Sequence, residues 1–119
     1  MNELAQNYQD LITNAYNSFN ARDIDKVLLT LHPKVKWARA WEGDYAHGHN
    51  EVRGYWERQW KEVDPHVTPV KLIALEDGKI KVEVDQLVKD LQGKILFEGR
   101  VYHVYTIQDD LLYVMEIMK

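Results

Sequence analysis

The residues that could do chemistry fall into two groups. The first is the stretch from Trp37 to Trp60, WARAWEGDYAHGHNEVRGYWERQW. It holds all 4 tryptophans of the chain, with Arg39, Arg53, Arg58, Tyr45, Tyr55, His47 and His49. Aromatic rings offer large apolar faces, and guanidinium groups add charge and a fork of donors. Together they suit a pocket that grips an apolar ligand at a few polar points. Arg39 sits between Trp37 and Trp41, where it could stack on a ring and hold an anionic or carbonyl ligand. The alternative is a structural arginine bonded to Glu98 or Glu116. Trp56 and Trp60 are one helical turn apart, either as core or with one of them walling the pocket. The second group is Glu98, Arg100 and Tyr102, alternate residues and so one face of a strand. Burying such a run is costly unless its charges pair, which points to a polar site. The alternative is a Glu98–Arg100 pair on the surface. Glu116 is the best candidate base if it faces inward. The alternation of Leu111, Tyr113, Met115 and Ile117 against Leu112, Val114 and Met118 leaves its side open.

Other chemistries find little support. The chain has no cysteine, which excludes disulfides, thiolate metal sites and cysteine nucleophiles. Ser18 is the only serine and has no elbow motif around it. His47-Gly48-His49 is weak support for a metal without HExxH or cysteine partners, and no metal is expected. There is no phosphate-cradling glycine loop and no dinucleotide fingerprint, so no cofactor is expected. A formal net charge of −4 argues against nucleic acid as a partner. No apolar run approaches the roughly 18 residues of a membrane span, and the polar start MNELAQNYQD is unlike a signal peptide. A cytoplasmic location is the expectation.

These residues need elements to position them. At 119 residues, 45% hydrophobic and 29% charged, the chain reads as one domain over 1–119 with one core. Leu4, Tyr8, Leu11, Ile12, Ala15, Tyr16 and Phe19 predict a long amphipathic helix, with Asn2 as a possible cap. Asp23 caps a second helix carrying Ile24, Val27, Leu28 and Leu31, which stops at His32-Pro33. Val35, Trp37 and Arg39 mark a first strand. Asn50 caps a third helix with Val52, Tyr55, Trp56 and Trp60, ending near Asp64-Pro65. Strands follow over 66–76, with Pro69 at an edge or bulge, then over 79–89, 94–107 and 111–118. Turns at Asp77-Gly78, Gln92-Gly93 and Asp109-Asp110 separate them. The order, helices then a strand meander, predicts an α+β fold with helices on one face of a curved sheet.

The stretches NARDIDKVLLTLHPKVKW, GHNEVRGYWERQW, QGKILFEGRVYHVYTI and DDLLYVMEI carry a resemblance over nearly the whole chain. They resemble the nuclear transport factor 2-like superfamily, in particular its SnoaL-like and ketosteroid isomerase-like branch. The resemblance implies a cone of three N-terminal helices on a strongly curved, mostly antiparallel sheet, assembled as a homodimer. It implies a small-molecule pocket, and the superfamily includes isomerases, polyketide cyclases, epoxide hydrolases, dehydratases and non-enzymatic binding domains. The isomerases' aspartate base is not matched, since Arg39 or Ala40 stands there. Their helix tyrosine aligns with Ala15, with Tyr16 one step round. Their second oxyanion donor aligns with Tyr102. In such a fold the face of Glu98, Arg100 and Tyr102 lines the cone, and the face of Val101, His103, Tyr105 and Ile107 packs between two chains. The expected site is therefore Tyr102, Arg100, Arg39, Glu98 and Glu116 for chemistry, with Trp37, Tyr16, Trp41, Tyr55, Trp56 and Trp60 around an apolar or aromatic carbonyl or carboxylate ligand. A cofactor-independent isomerase, cyclase or hydrolase-like lyase competes with a non-catalytic binding or accessory domain.

Overall fold

The computed structural model describes residues 7–39 and 42–118. The expected cap Asn2, the first-turn Leu4 and the expected pocket residue Trp41 lie outside them. Helix α1 (Gln9–Asn20) buries Ile12, Ala15 and Tyr16, the apolar stripe the sequence spacing requires. Its end is fixed by side chains that reach a strand far along the chain. Arg22, held in the left-handed region at φ 62, donates to the carbonyls of Phe19 and Pro65 and pairs with Asp64. Asn20 mimics a strand neighbour, donating to Val67 O at 2.6 Å and accepting from Val67 N at 3.0 Å. Helix α2 (Ile24–Thr30) is capped by Asp23, whose Oδ1 accepts from Lys26 N at 3.3 Å.

Strand β1 (Leu31–Ala38) starts at once after α2, two residues earlier than Pro33 suggests. The sequence reading also missed β2 (Tyr45–His47), a strand of three residues too short to show a period. Helix α3 (Gly48–Glu62) follows, and its Glu51 carboxylate reaches back to His47 N at 2.8 Å. The meander is then β3 (Val63–Ala74), β4 (Ile80–Asp90), β5 (Ile95–Gln108) and β6 (Leu111–Met118). The six strands form one sheet in the order β2-β1-β6-β5-β4-β3. All neighbours are antiparallel except β1 and β6, which run parallel. The β3 register slips between Pro69 and Lys71, where Pro69 cannot donate to the ladder. At the β5–β6 turn both Asp109 (φ 54) and Asp110 (φ 61) are left-handed, which aspartate tolerates better than most residues.

The helices cover one face of this sheet, and the core lies between. On β4, Ile80, Val82 and Val84 are fully buried and face the helices. They pair with Tyr105, His103 and Val101 of β5, so those three face the same way. This overturns the expected face assignment. Val101, His103, Tyr105 and Ile107 belong to this chain's own interior and are not a surface between two chains. Glu98, Arg100 and Tyr102 point to the outer side, opposite Leu87, Asp85 and Glu83. Strict alternation allows only these two arrangements. The observed one buries apolar and neutral groups, whereas the other would bury a carboxylate and a guanidinium.

Candidate functional site

The cavity between helices and sheet has a volume of about 170 Å³. Helix α1 contributes Ala15, Tyr16 and Phe19, which its period places on one side. Helix α3 contributes Tyr55, Trp56 and Gln59, again at steps of one and three. Strand β1 supplies Trp37, and β6 supplies Met115, its parallel partner. The aromatic walls lock one another edge-on. Trp37 meets Trp56 at 5.2 Å and 88°, and Phe19 meets Trp56 at 5.3 Å and 76°. Tyr16, Trp37, Tyr55 and Trp56, all expected around a ligand, line the cavity. Trp60 does not line it. It stacks behind Trp56 at 6.0 Å with the Arg22 guanidinium over its outer face at 4.9 Å.

At one end lies a buried chain of hydrogen bonds. Tyr105 O–H donates to Tyr16 Oη at 2.9 Å, and Tyr16 Oη lies 2.7 Å from His103 Nδ1. The order of protons follows from what each alternative would leave unpaired. If His103 Nδ1 donated to Tyr16 and Tyr16 to Tyr105, the Tyr105 proton would be an orphan donor in the core. With Tyr105 donating to Tyr16 and Tyr16 to Nδ1, both hydroxyl protons are used, and the one donor left over, Nε2–H, belongs to a ring that lines the cavity instead of being sealed in packed core. Orphan donors are the costlier defect. His103 is thus held as the tautomer with its proton on Nε2. No described residue bonds to Nε2, and the ring lines the cavity. Burial pushes the imidazole down from 6.5 to about 4, so it is neutral at pH 7. Burial likewise pushes both tyrosine hydroxyls up, so neither ionises near neutrality.

About 13 Å away along β4, counted as four residues from the His103 partner Val82, lies Gln86. Gln86 lines the cavity and bonds to no described side chain. Gln59 also lines this wall and donates to Tyr55 Oη at 3.3 Å. Among the described lining residues there is no carboxylate, guanidinium or ammonium.

The expected catalytic set is placed elsewhere. Arg100 donates to Asp85 at 2.6 Å and Glu83 at 2.9 Å on the outer face. Tyr102 lies there too, beneath the Lys81 ammonium at 4.7 Å from its ring centre. Glu98 is exposed on the same face. Glu116 also points outward, opposite Val104, with Lys79 Nζ at 3.6 Å. Arg39 is gripped through Nε and Nη2 by the Asp44 carboxylate at 2.6 and 2.8 Å, which closes the turn before β2. Neither of its foreseen partners, Glu98 nor Glu116, takes it. His47 and His49 do not converge, since His49 Nε2 pairs with Leu31 O at 2.9 Å. Among the described residues no three histidines or carboxylates gather as metal ligands.

The sequence reading missed His103, Tyr105, Gln59 and Gln86. The signal for the first two was present, because they alternate in phase with Val101 as a half-buried strand face should.

A family model described as the SnoaL-like domain matches residues 12–115. The chain belongs to the SnoaL-like domain family. No curated protein matches this SnoaL-like chain in sequence. Solved structures agree on its fold. A nuclear transport factor 2-like protein of unknown function from Burkholderia pseudomallei superposes with a TM-score of 0.81 at 22% identity, covering 94% of this chain and 89% of that one. TerC co-crystallised with polyporic acid superposes with 0.79 at 22% identity, covering 92% and 88%. A Mycobacterium tuberculosis protein in complex with estradiol-17beta-hemisuccinate gives 0.79 at 13% identity, covering 93% and 92%.

Proposed function

We propose that this SnoaL-like protein binds a small apolar carbonyl compound in its cavity, with His103 Nε2–H as donor to the carbonyl oxygen. The observation that carries this is the buried chain from Tyr105 through Tyr16 to His103 Nδ1, which leaves the other ring nitrogen without a described partner on a ring that lines the cavity. Two structural relatives were solved with small organic molecules, which supports the same use of this fold here. The bond from Tyr16 to Nδ1 favours the ring orientation that presents Nε2 to the ligand. A donor fixed in an apolar cavity polarises a carbonyl far more than one in water.

No carboxylate lines the cavity among the described residues, so abstraction of a proton from the ligand has no obvious base there. Binding with polarisation is therefore the conclusion. A catalytic version is favoured by one feature, the donor chain itself, since the same Nε2–H would stabilise an enolate oxygen. In that version the reaction is a cofactor-independent isomerisation or cyclisation, and the base comes from water or from the substrate.

Titration of tryptophan fluorescence with cyclic and aromatic ketones tests the reading, because Trp37 and Trp56 line the cavity. Quenching should saturate. His103→Phe keeps a ring and removes the donor, so affinity per folded molecule should fall about five- to tenfold. Equal affinity in the two proteins, or no saturable quenching with any ketone, refutes it.

A further inference from the structure

We infer that the ligand is a neutral compound built on a single ring, carrying a carbonyl at the His103 end and a second polar substituent that meets Gln86. This rests on the function proposed above and narrows it by size, charge and a second contact.

Size comes from the volume. The cavity is about 170 Å³, close to the ~150 Å³ apolar cavity that takes one benzene. One ring with short substituents fills it, and a fused tetracycle does not. The Trp56 wall is closely packed from behind. Trp56 is packed by Phe19, Trp37 and Trp60, three rings at 5.2 to 6.0 Å.

Charge comes from the lining. Arg39, Arg100, Glu98 and Glu116 all spend their charge outside the cavity on Asp44, Asp85, Glu83 and Lys79 or in solvent. A carboxylate ligand would enter with only neutral donors to meet it, and burying an unpaired carboxylate is prohibitive. The carboxylate ligand that the arginines suggested in the sequence is thereby replaced by a neutral one.

The second contact comes from Gln86. Gln86 is half-buried, lines the largely apolar wall and has no side-chain partner among the described residues, so its amide is available to a ligand. Its cross-strand neighbour on β5 is Gly99, which has no side chain to meet it. Phe97 fills that place instead, and a Cβ on Gly99 would lie 3.3 Å from Phe97 Cζ. The amide therefore faces the ligand space beside a flat apolar wall. His103 and Gln86 both line the cavity and stand four residues out of register on adjacent strands, so a ring between them presents substituents on opposite edges.

Isothermal titration with four probes tests this: acetophenone, 4-hydroxyacetophenone, benzoate and a steroid ketone. The expected order is 4-hydroxyacetophenone tightest, acetophenone about fivefold weaker, and neither benzoate nor the steroid detectable. Gln86→Leu should abolish the fivefold preference for the hydroxyl, and Gln86→Met, unbranched and about as long as glutamine, provides a second check of the same loss. If no ketone binds at all, the function proposed above falls and this inference with it. If ketones bind and depend on His103, but benzoate or the steroid binds equally well, or the preference survives in both Gln86 variants, that function stands and this inference is overturned.

Discussion

Replacing Tyr16 with phenylalanine removes one oxygen and tests the order of the buried hydrogen-bond chain. Tyr16 is the middle member, accepting from Tyr105 and donating to His103 Nδ1. Tyr16→Phe therefore orphans two groups at once, the Tyr105 O–H and the His103 Nδ1 lone pair. Tyr105 is 1% exposed and His103 7%, so bulk water does not replace the lost partner. Each buried orphan costs about 1–3 kcal/mol, which gives about 2–4 kcal/mol for the pair once some relaxation is allowed. Tyr105→Phe is the control. It removes the terminal donor and leaves the Tyr16–His103 bond intact, so only one ordinary hydrogen bond is lost, about 1 kcal/mol. For a domain of this size the two should lower Tm by about 10 °C and about 4 °C respectively. Urea unfolding at pH 7, read by tryptophan fluorescence and circular dichroism, measures both. Tyr16→Phe should also loosen the His103 tautomer and weaken ketone binding, which Tyr105→Phe should barely touch. Equal stability losses in the two variants, or a Tyr16→Phe loss below that of Tyr105→Phe, would show that the chain is not ordered in this way.

Two further outcomes follow from the same geometry. The folded His103 sits at about 4 and its ordinary value is 6.5, so below pH 6.5 the unfolded chain takes up a proton that the folded chain refuses. Stability from this group is intact above pH 6.5 and falls as pH drops toward 4, by about 2–3 kcal/mol at pH 4.5. Unfolding measured at pH 7.5 and pH 4.5 should show that loss in the parent and not in His103→Gln; equal losses in both would place the sensitivity elsewhere. Arg100→Met and Tyr102→Phe change the outer face alone, so neither should alter ketone affinity, and Arg100→Met should make stability less dependent on salt. A loss of binding in either variant at unchanged stability would restore the outer face as the site.

The fold was legible because its signals are local and repeated. Asp23 caps α2 as its type suggests, Pro69 breaks the β3 register, and each expected strand turn falls where glycine or paired aspartates stand. The apolar period of α1 and α3 placed Tyr16, Tyr55 and Trp56 on inward faces. The site was half legible. Its aromatic wall followed from helical spacing, but its polar end depended on which side of β5 faces the helices. A period of two gives two sets of residues and does not say which is inside. The resemblance to the cone fold, more than the cost of burying Glu98 and Arg100, put the Tyr102 face inside, and the pairing with β4 puts it outside. Ile80, Val82 and Val84 of β4, which pair with Tyr105, His103 and Val101, carried the answer, but only through a register that single-strand patterns do not show. A structural role for Arg39 was foreseen, but its partner was missed for a similar reason. Its partner Asp44 is five residues away across a turn into β2, a strand too short to be seen in the sequence.

The central claim is that His103 Nε2–H donates to a ligand carbonyl inside the cavity, and infrared difference spectroscopy reads that bond directly. Carbonyl-labelled acetophenone bound to the protein should show its C=O stretch shifted to lower frequency than in a hydrocarbon solvent, because a fixed donor lengthens and polarises the bond. Bound to His103→Phe, the stretch should return to the hydrocarbon value. A bound ketone whose stretch in the parent protein matches the hydrocarbon value, or whose shift persists in His103→Phe, would contradict the account.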